Sequence, residues 1–163
     1  MTRVTAAEYD AAARSDCFVC RIVTGEPLFP GLRVVYEDAQ TIAFLNQFPS
    51  QEGYTIVCPK RHVARFEADL SPDEWHHLQA VVQRVSRAVS EATGAIRMYL
   101  ASLGSPERNP HLHIHVCPCP PGTPFEQQQF AAMMSEDGQY LTLTDERQDE
   151  LADLIRHALD STR

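Results

Sequence analysis

The feature that most constrains the fold is an alternation of histidine and aliphatic side chains, His111-Leu112-His113-Ile114-His115-Val116. In a β-strand, successive side chains point to opposite faces, so the imidazoles share one face and the aliphatic side chains share the other. The pattern therefore predicts a strand over 111–117 that buries one face in the core and offers the other face for chemistry.

Three explanations are compatible with aligned histidines: a His-rich strand half exposed to solvent, a metal site built from all three, or phosphoryl or nucleotidyl transfer by one of them. Imidazole titrates near neutral pH, so it can act as nucleophile, general base or general acid, and the neutral ring also binds metals. Adjacent Cβ atoms on one face of a strand lie about 7 Å apart. That spacing disfavours a metal site of these histidines alone, and transfer chemistry is the favoured explanation.

The rest of the chain predicts an α+β fold in which a long helix covers one face of an antiparallel, five-stranded sheet. Runs rich in Val, Ile, Tyr and Phe, separated by turn residues and short joins, indicate antiparallel strands. The predicted strands are 33–37, 41–46, 54–59, 95–103 and 111–117.

The long helix has the clearest start signal in the chain. Ser71 precedes Pro72 and stands three residues before Glu74, which is typical of a capped helix start, and apolar residues then recur at spacings of three and four until Gly94. Shorter elements are predicted as a helix over 5–14, a strand over 139–142 and a helix after Thr144.

Composition and charge restrict the class of partner. The 163 residues are enough for one hydrophobic core, and the net charge of −8 disfavours binding along a nucleic-acid polymer. No apolar run reaches the roughly 20 residues that a membrane span needs, and no signal-peptide core is visible, so we expect a cytoplasmic protein without a membrane partner. The odd count of five cysteines favours thiols or metal ligands over disulfides.

The histidine motif resembles the signature of the histidine triad family, His-φ-His-φ-His-φ-φ with φ apolar, which His111-Leu112-His113-Ile114-His115-Val116-Cys117 matches. Segments 18–26, 35–38, 43–46 and 53–63 fall in the family's order and spacing. The resemblance covers a histidine triad domain over 16–122. Residues 1–15 are then an N-terminal extension and residues 123–163 a C-terminal extension, whose helix we expect to pack on the domain. The resemblance also implies a homodimer that pairs through the long helix and the fourth strand.

The resemblance implies a hydrolase or transferase that acts on the α-phosphorus of a nucleotide. His113 would be the nucleophile and form a covalent nucleotidyl-histidine intermediate, and His115 would hold phosphate oxygens or protonate the leaving group. A nucleotide phosphoramidase, a dinucleoside polyphosphate hydrolase and a nucleotidyltransferase are all compatible with this nucleophile. The alternative from another class is a nucleotide-binding or zinc-stapled interaction module without turnover.

The resemblance also implies a set of substrate-binding residues. They are Phe18, Ile22, Phe44 and Leu45 at the base, Asn46 at the ribose and His115 near the phosphate. The loop before the triad is shorter than in the family and departs from its sequence, and we expect Ser102, Arg108 and Asn109 of this loop to contact the phosphate instead. Asn46 stands where the family usually carries an acidic residue, and an amide offers only one acceptor oxygen to the ribose hydroxyls. For Asn46 and the loop residues, an ordinary solvated turn is the alternative.

The cysteines at 17 and 20 have the spacing at which two thiolates share a tetrahedral metal, but one such pair is only half a site. The resemblance completes it with two histidines and so implies a structural zinc site made of Cys17, Cys20, His62 and His111. Two buried thiols without a ligand are the alternative. Cys117 and Cys119 are either alternative metal ligands or small apolar residues, and the second is favoured, with Pro118 and Pro120 ending the strand there.

Overall fold

The computed structural model describes residues 16–27, 30–133 and 140–161, together with positions 7, 8, 11 and 14. Five strands form one antiparallel sheet in the order β1-β2-β3-β5-β4, which confirms the predicted α+β fold. The strands are β1 (Val34–Glu37), β2 (Thr41–Leu45), β3 (Thr55–Pro59), β4 (Arg97–Ala101) and β5 (Ile114–Cys119). The histidine strand β5 therefore lies inside the sheet, between β3 and β4.

The limits of β5 differ from the prediction at both ends. The strand starts at Ile114, because the preceding Leu112 N–H donates outside the sheet, to the carbonyl oxygen of Val63 at 2.6 Å. It continues through Pro118, which was wrongly predicted to end it. Since the ladder with β3 stops at Val116, the missing N–H of Pro118 interrupts no sheet hydrogen bond.

Among the described residues, five α-helices join and cover the strands: α1 (Phe18–Val23), α2 (Phe66–Asp69), α3 (Pro72–Thr93), α4 (Phe130–Met133) and α5 (Asp145–Ser161). The long helix α3 begins at the predicted cap, where the Ser71 hydroxyl accepts from the Glu74 N–H (3.3 Å) and the Glu74 carboxylate accepts from the Ser71 N–H (2.9 Å). It ends at Gly94, whose φ of 66° is left-handed.

The two faces of the sheet carry separate apolar clusters. The first joins Leu112, Ile114 and Val116 to α3 and α5, as the alternation of the histidine segment predicts. The second lies on the opposite face, where Phe18 and Val19 of α1 and Ala132 and Met133 of α4 cover the sheet. We call this second side the histidine face, because it is the side toward which the triad side chains point.

The C-terminal segment packs against the strands and their connections. The predicted helix after Thr144 is confirmed as α5, and its Arg156 side chain donates to the carbonyl oxygen of Val34 in β1 at 2.7 Å. The predicted strand over 139–142 is wrong for its described positions, since Leu141 instead donates its N–H to Pro49 at 2.8 Å. The predicted N-terminal helix lies largely outside the described residues.

One edge of the sheet is formed by β4, where Leu100 is 51% exposed. Dimerisation through this edge stays a prediction, as do the segment boundaries after residues 15 and 122. None of the described helices combines the length and apolarity required to cross a membrane.

Candidate active site and metal centre

His111 is completely buried, and a backbone carbonyl fixes its ring. Its Nε2 lies 2.8 Å from the carbonyl oxygen of Pro59. Because a carbonyl can only accept, the ring hydrogen is on Nε2, and Nδ1 presents a lone pair. Burial lowers the pKa of His111 to about 4, so the ring is neutral at neutral pH.

The lone pair of His111 points into a cluster of four potential metal ligands: Cys17, Cys20, His62 and His111. Their donor atoms all lie within 4.8 Å of one another. Nδ1 of His111 is 3.3 Å from Sγ of Cys17 and 3.6 Å from Sγ of Cys20, and the Cys20 sulfur is 3.3 Å from Nδ1 of His62. A tetrahedral zinc ion separates thiolate and imidazole ligand atoms by roughly 3.3–3.8 Å, so the geometry and donor types fit such an ion.

A single helical turn brings the two thiols together. Cys17 is the N-cap of α1, and its sulfur accepts from the Cys20 N–H at 3.4 Å. Burial and the neighbouring Cys17 thiol raise the pKa of Cys20 to about 11. A thiol with that pKa binds a metal only by releasing its proton, so metal binding at this site is coupled to pH.

His113 has the opposite ring arrangement from His111. Its Nδ1 lies 2.7 Å from the carbonyl oxygen of His111, so the ring hydrogen is on Nδ1 and Nε2 carries the lone pair. The side chain is 5% exposed, and burial lowers its pKa. On one side the ring contacts Phe18, with centroids 5.7 Å apart. A neutral imidazole with a directed lone pair can act as a nucleophile.

The chain between β4 and β5 also packs against this ring, near its Cε1 atom. A Cβ atom added to Gly104 would overlap the carbonyl oxygen of Asn109 and lie 3.1 Å from Cε1 of His113. Glycine therefore allows the loop to approach the imidazole closely.

His115 is the neighbour of His113 on the same face, with ring centroids 5.0 Å apart. Its Nδ1 is 2.8 Å from the hydroxyl oxygen of Tyr54, a residue that the sequence reasoning missed. Burial, and secondarily the nearby His113, lower the pKa of His115 to about 3. Tyr54 was missed because its place depends on the register of β3 and β5. This register sets Ile56 opposite His115, so that Tyr54 is the diagonal neighbour of His115.

Of the four apolar residues predicted at the base, the structure brings three to the histidine face. Phe18 packs edge-on against Phe44, with centroids 6.3 Å apart, and Ile22 packs against the same cluster. Leu45 is not among them, because it follows Phe44 in β2, points to the other face and lies in the cluster under α3. The placement of Leu45 beside the base is therefore corrected.

Asn46 follows β2 and is half-buried. Its side-chain oxygen accepts from the Phe48 N–H at 3.0 Å, so this oxygen already stabilises the turn. In the loop, Ser102 is exposed and Arg108 is half-buried; Arg108 closes a tight turn through paired backbone hydrogen bonds with Ser105 (3.0 and 3.1 Å). Asn109 has a left-handed φ of 52°, which asparagine tolerates better than most residues.

Known proteins share this fold and motif. Residues 32–121 match the family model described as the HIT domain. An uncharacterised HIT-like protein of Mycobacterium tuberculosis is 32% identical over 105 residues, which cover 63% of this chain and 70% of that protein. The adenosine 5'-monophosphoramidase of Schizosaccharomyces pombe is 25% identical over 130 residues, covering 74% and 94%. The crystal structure of a zinc-bound histidine triad family protein from Mycobacterium smegmatis superposes with a TM-score of 0.68 at 27% identity, covering 92% and 99%.

A histidine pair on a sheet face, bordered by aromatic side chains and a close-packed glycine loop, is the arrangement expected of the histidine triad class of proteins. The chain belongs to the histidine triad (HIT) family. Members of this family include a nucleotide hydrolase, as the phosphoramidase of S. pombe shows.

Proposed function

We propose that this protein hydrolyses nucleoside 5'-phosphoramidates through a nucleotidyl intermediate on His113. The observation that carries the proposal is the hydrogen bond from Nδ1 of His113 to the carbonyl oxygen of His111, which directs the Nε2 lone pair into the histidine face. Burial keeps this nitrogen unprotonated by lowering the pKa of His113, so no separate base is required to activate it.

The reaction would take two displacements. In the first, Nε2 of His113 forms a bond to the α-phosphorus, the P–N bond to the leaving group breaks, and the departing nitrogen leaves as an amine after taking a proton from solvent. In the second, water attacks the phosphorus and releases a proton to solvent, which balances the proton taken by the amine; the bond to His113 breaks, and the nucleoside monophosphate and the free imidazole are released. Dividing one difficult step into two easier ones is the advantage of covalent catalysis.

The remaining site residues have roles in binding. Phe18, Ile22 and Phe44 would contact the base, since they provide the apolar surface of the histidine face. Asn46 would meet the ribose through its amide group. The loop of Ser102, Arg108 and Asn109, together with His115, would contact the phosphoryl oxygens.

Charge favours an amine over a polyphosphate as leaving group, since Arg108 is the single cationic side chain that the proposal places at the phosphoryl group. A polyphosphate carries several negative charges and is best held by unpaired cations. The cationic side chains that flank the metal ligands in sequence are instead paired with carboxylates. These pairs are Arg21–Asp16 (3.2 Å), Lys60–Glu37 (2.7 Å) and Arg61–Glu74 (2.8 Å). The net charge of −8 adds to this preference.

The proposal includes a structural zinc ion bound by Cys17, Cys20, His62 and His111. It is supported by the donor set and its distances, and by the zinc-bound relative from M. smegmatis. When bound, the ion supplies a crosslink between the start of α1, the end of β3 and the triad. Because the carbonyl of His111 orients His113, that crosslink would also fix the nucleophile.

The test is a panel of adenosine and guanosine phosphoramidates and dinucleoside polyphosphates, assayed side by side. We expect the wild type to hydrolyse the phosphoramidates fastest, and His113→Ala to fall to background. His157→Ala is the matched control, because His157 is exposed on α5, away from the triad. Nucleotide binding without turnover of any substrate would instead support a non-catalytic binding module.

A further inference from the structure

Tyr54 is a buried phenol beside the triad. It precedes β3, is 2% exposed, and packs against His115 with ring centroids 5.6 Å apart. Its hydroxyl oxygen is 2.8 Å from Nδ1 of His115. Either partner of such a pair can in principle donate the hydrogen, and the surroundings decide which one does.

The surroundings of Tyr54 require the phenol to donate. Among the described residues, Nδ1 of His115 is the hydrogen-bond partner of the Tyr54 hydroxyl. If the phenol accepted from an Nδ1–H, its own buried hydrogen would find no acceptor within the described part of the chain, which is strongly unfavourable. If the phenol donates, both groups are satisfied. Burial raises the pKa of Tyr54, so the hydrogen stays on the oxygen.

The direction of this hydrogen bond fixes the tautomer of His115. A neutral imidazole carries one hydrogen, so a ring that accepts at Nδ1 carries it on Nε2. His113 has the reverse arrangement, with its hydrogen on Nδ1 and its lone pair on Nε2. The two neighbouring rings therefore present one lone pair and one N–H to the same space. A phosphoryl group fits both, because its phosphorus accepts a nucleophile and its oxygens accept a hydrogen bond.

We propose that Tyr54 is a positioning residue that holds His115 as the Nε2–H tautomer, so that His115 binds a phosphoryl oxygen as a fixed hydrogen-bond donor. The catalytic consequence of this inference rests on the proposed phosphoramidase function. Without the phenol, the other tautomer becomes accessible, and it turns a lone pair toward the phosphoryl oxygen. Two lone pairs repel, so that state stabilises neither the substrate nor the transition state.

The first test reads the tautomer directly in the resting, metal-loaded protein. Two-bond 1H–15N correlation spectra of the histidine rings distinguish the protonated from the unprotonated nitrogen. We expect Nδ1 of His115 to be unprotonated in the wild type and the two tautomers to be mixed in Tyr54→Phe. A wild-type ring with its hydrogen on Nδ1 overturns the proposal, and so does a Tyr54→Phe spectrum identical to the wild type.

A matched control is provided by Tyr36, whose hydroxyl donates to the Asp38 carboxylate at 2.7 Å on β1, away from the triad. Tyr36→Phe removes a comparable hydrogen bond and should leave the His115 signals unchanged. Because these spectra need no turnover, they decide the role of Tyr54 even if the protein hydrolyses none of the phosphoramidates. Absence of turnover would contradict the proposed function alone.

The second test is a double-mutant cycle on turnover. Removing one transition-state donor costs about 100-fold in kcat, so we expect Tyr54→Phe to lose about 10- to 100-fold with little change in KM. In a His115→Ala background, Tyr54→Phe should cost nothing further, because the residue on which it acts is gone. An equal loss in both backgrounds would show that Tyr54 acts through packing and would overturn the proposal.

Discussion

Replacing Cys17 by serine separates the two roles that the structure gives this residue. Its sulfur belongs to the cluster of Cys17, Cys20, His62 and His111, and it also caps α1 by accepting from the Cys20 N–H. Serine is a good helix cap but a poor ligand for zinc. Cys17→Ser should therefore remove the ion and keep the start of α1 intact.

The expected magnitude follows from binding linkage. An ion present at 100 times its dissociation constant stabilises the folded state by about 2.7 kcal/mol. For a chain of 163 residues, 1 kcal/mol corresponds to a change in Tm of about 2–4 °C. Loss of the ion should thus lower Tm by about 5–11 °C. Cys17→Ala also loses the cap and should cost about 1 kcal/mol more.

The assay combines elemental analysis with thermal unfolding, on protein purified without a metal-affinity tag. We expect one zinc per wild-type chain, a chelator-sensitive Tm, and loss of both in Cys17→Ser. Cys119→Ser is the control, because Cys119 is buried in β5 outside the cluster, so its zinc content should stay at one. A metal-free wild type whose Tm does not change with chelators would refute the reasoning, and Cys17 and Cys20 would then be buried thiols without a metal.

Three further predictions concern the substrate site. Gly104→Ala should lower kcat, by up to about 100-fold for a 1 Å displacement of His113, because the added methyl group overlaps the loop and presses on the imidazole. Steady-state kinetics check this, and an unchanged kcat would show that the loop can yield. Phe44→Ala should raise KM, whereas Leu45→Ala should destabilise the protein by about 2–5 kcal/mol with KM unchanged. A raised KM for Leu45→Ala would show that Leu45 contacts the nucleotide base after all. Asn46→Asp should strengthen the binding of ribonucleotides more than that of 2',3'-dideoxynucleotides, by up to about 1.5–3 kcal/mol in binding free energy as measured by calorimetry. Equal effects on both sugars would show that Asn46 does not face the ribose.

The fold could be predicted from the sequence because its elements carry strong local signals. The alternation around His113 determined which side chains enter the core, and Leu112, Ile114 and Val116 do lie under α3. The cap at Ser71 located the start of α3, and Gly94 its end. These signals depend on neighbours along the chain, so they need no knowledge of the tertiary structure.

The missed features depend on register and tertiary contacts. The hydrogen bond between Tyr54 and His115 requires the pairing of β3 with β5, which no local pattern specifies. Leu45 was assigned to the base by resemblance, although the period of two along β2 points its side chain to the face of the sheet that Phe44 does not occupy. Pro118 was expected to end β5, but the position of a proline in a sheet is unfavourable only where a neighbour needs its N–H.

The central claim is that His113 becomes covalently nucleotidylated during turnover. Rapid quenching of the wild type with a phosphoramidate labelled at the α-phosphorus tests it most directly. The account predicts an acid-labile, base-stable label that peptide mapping places on His113, absent from His113→Ala and retained in His157→Ala. Full turnover with no labelled protein at any quench time, or a label on another side chain, would contradict it.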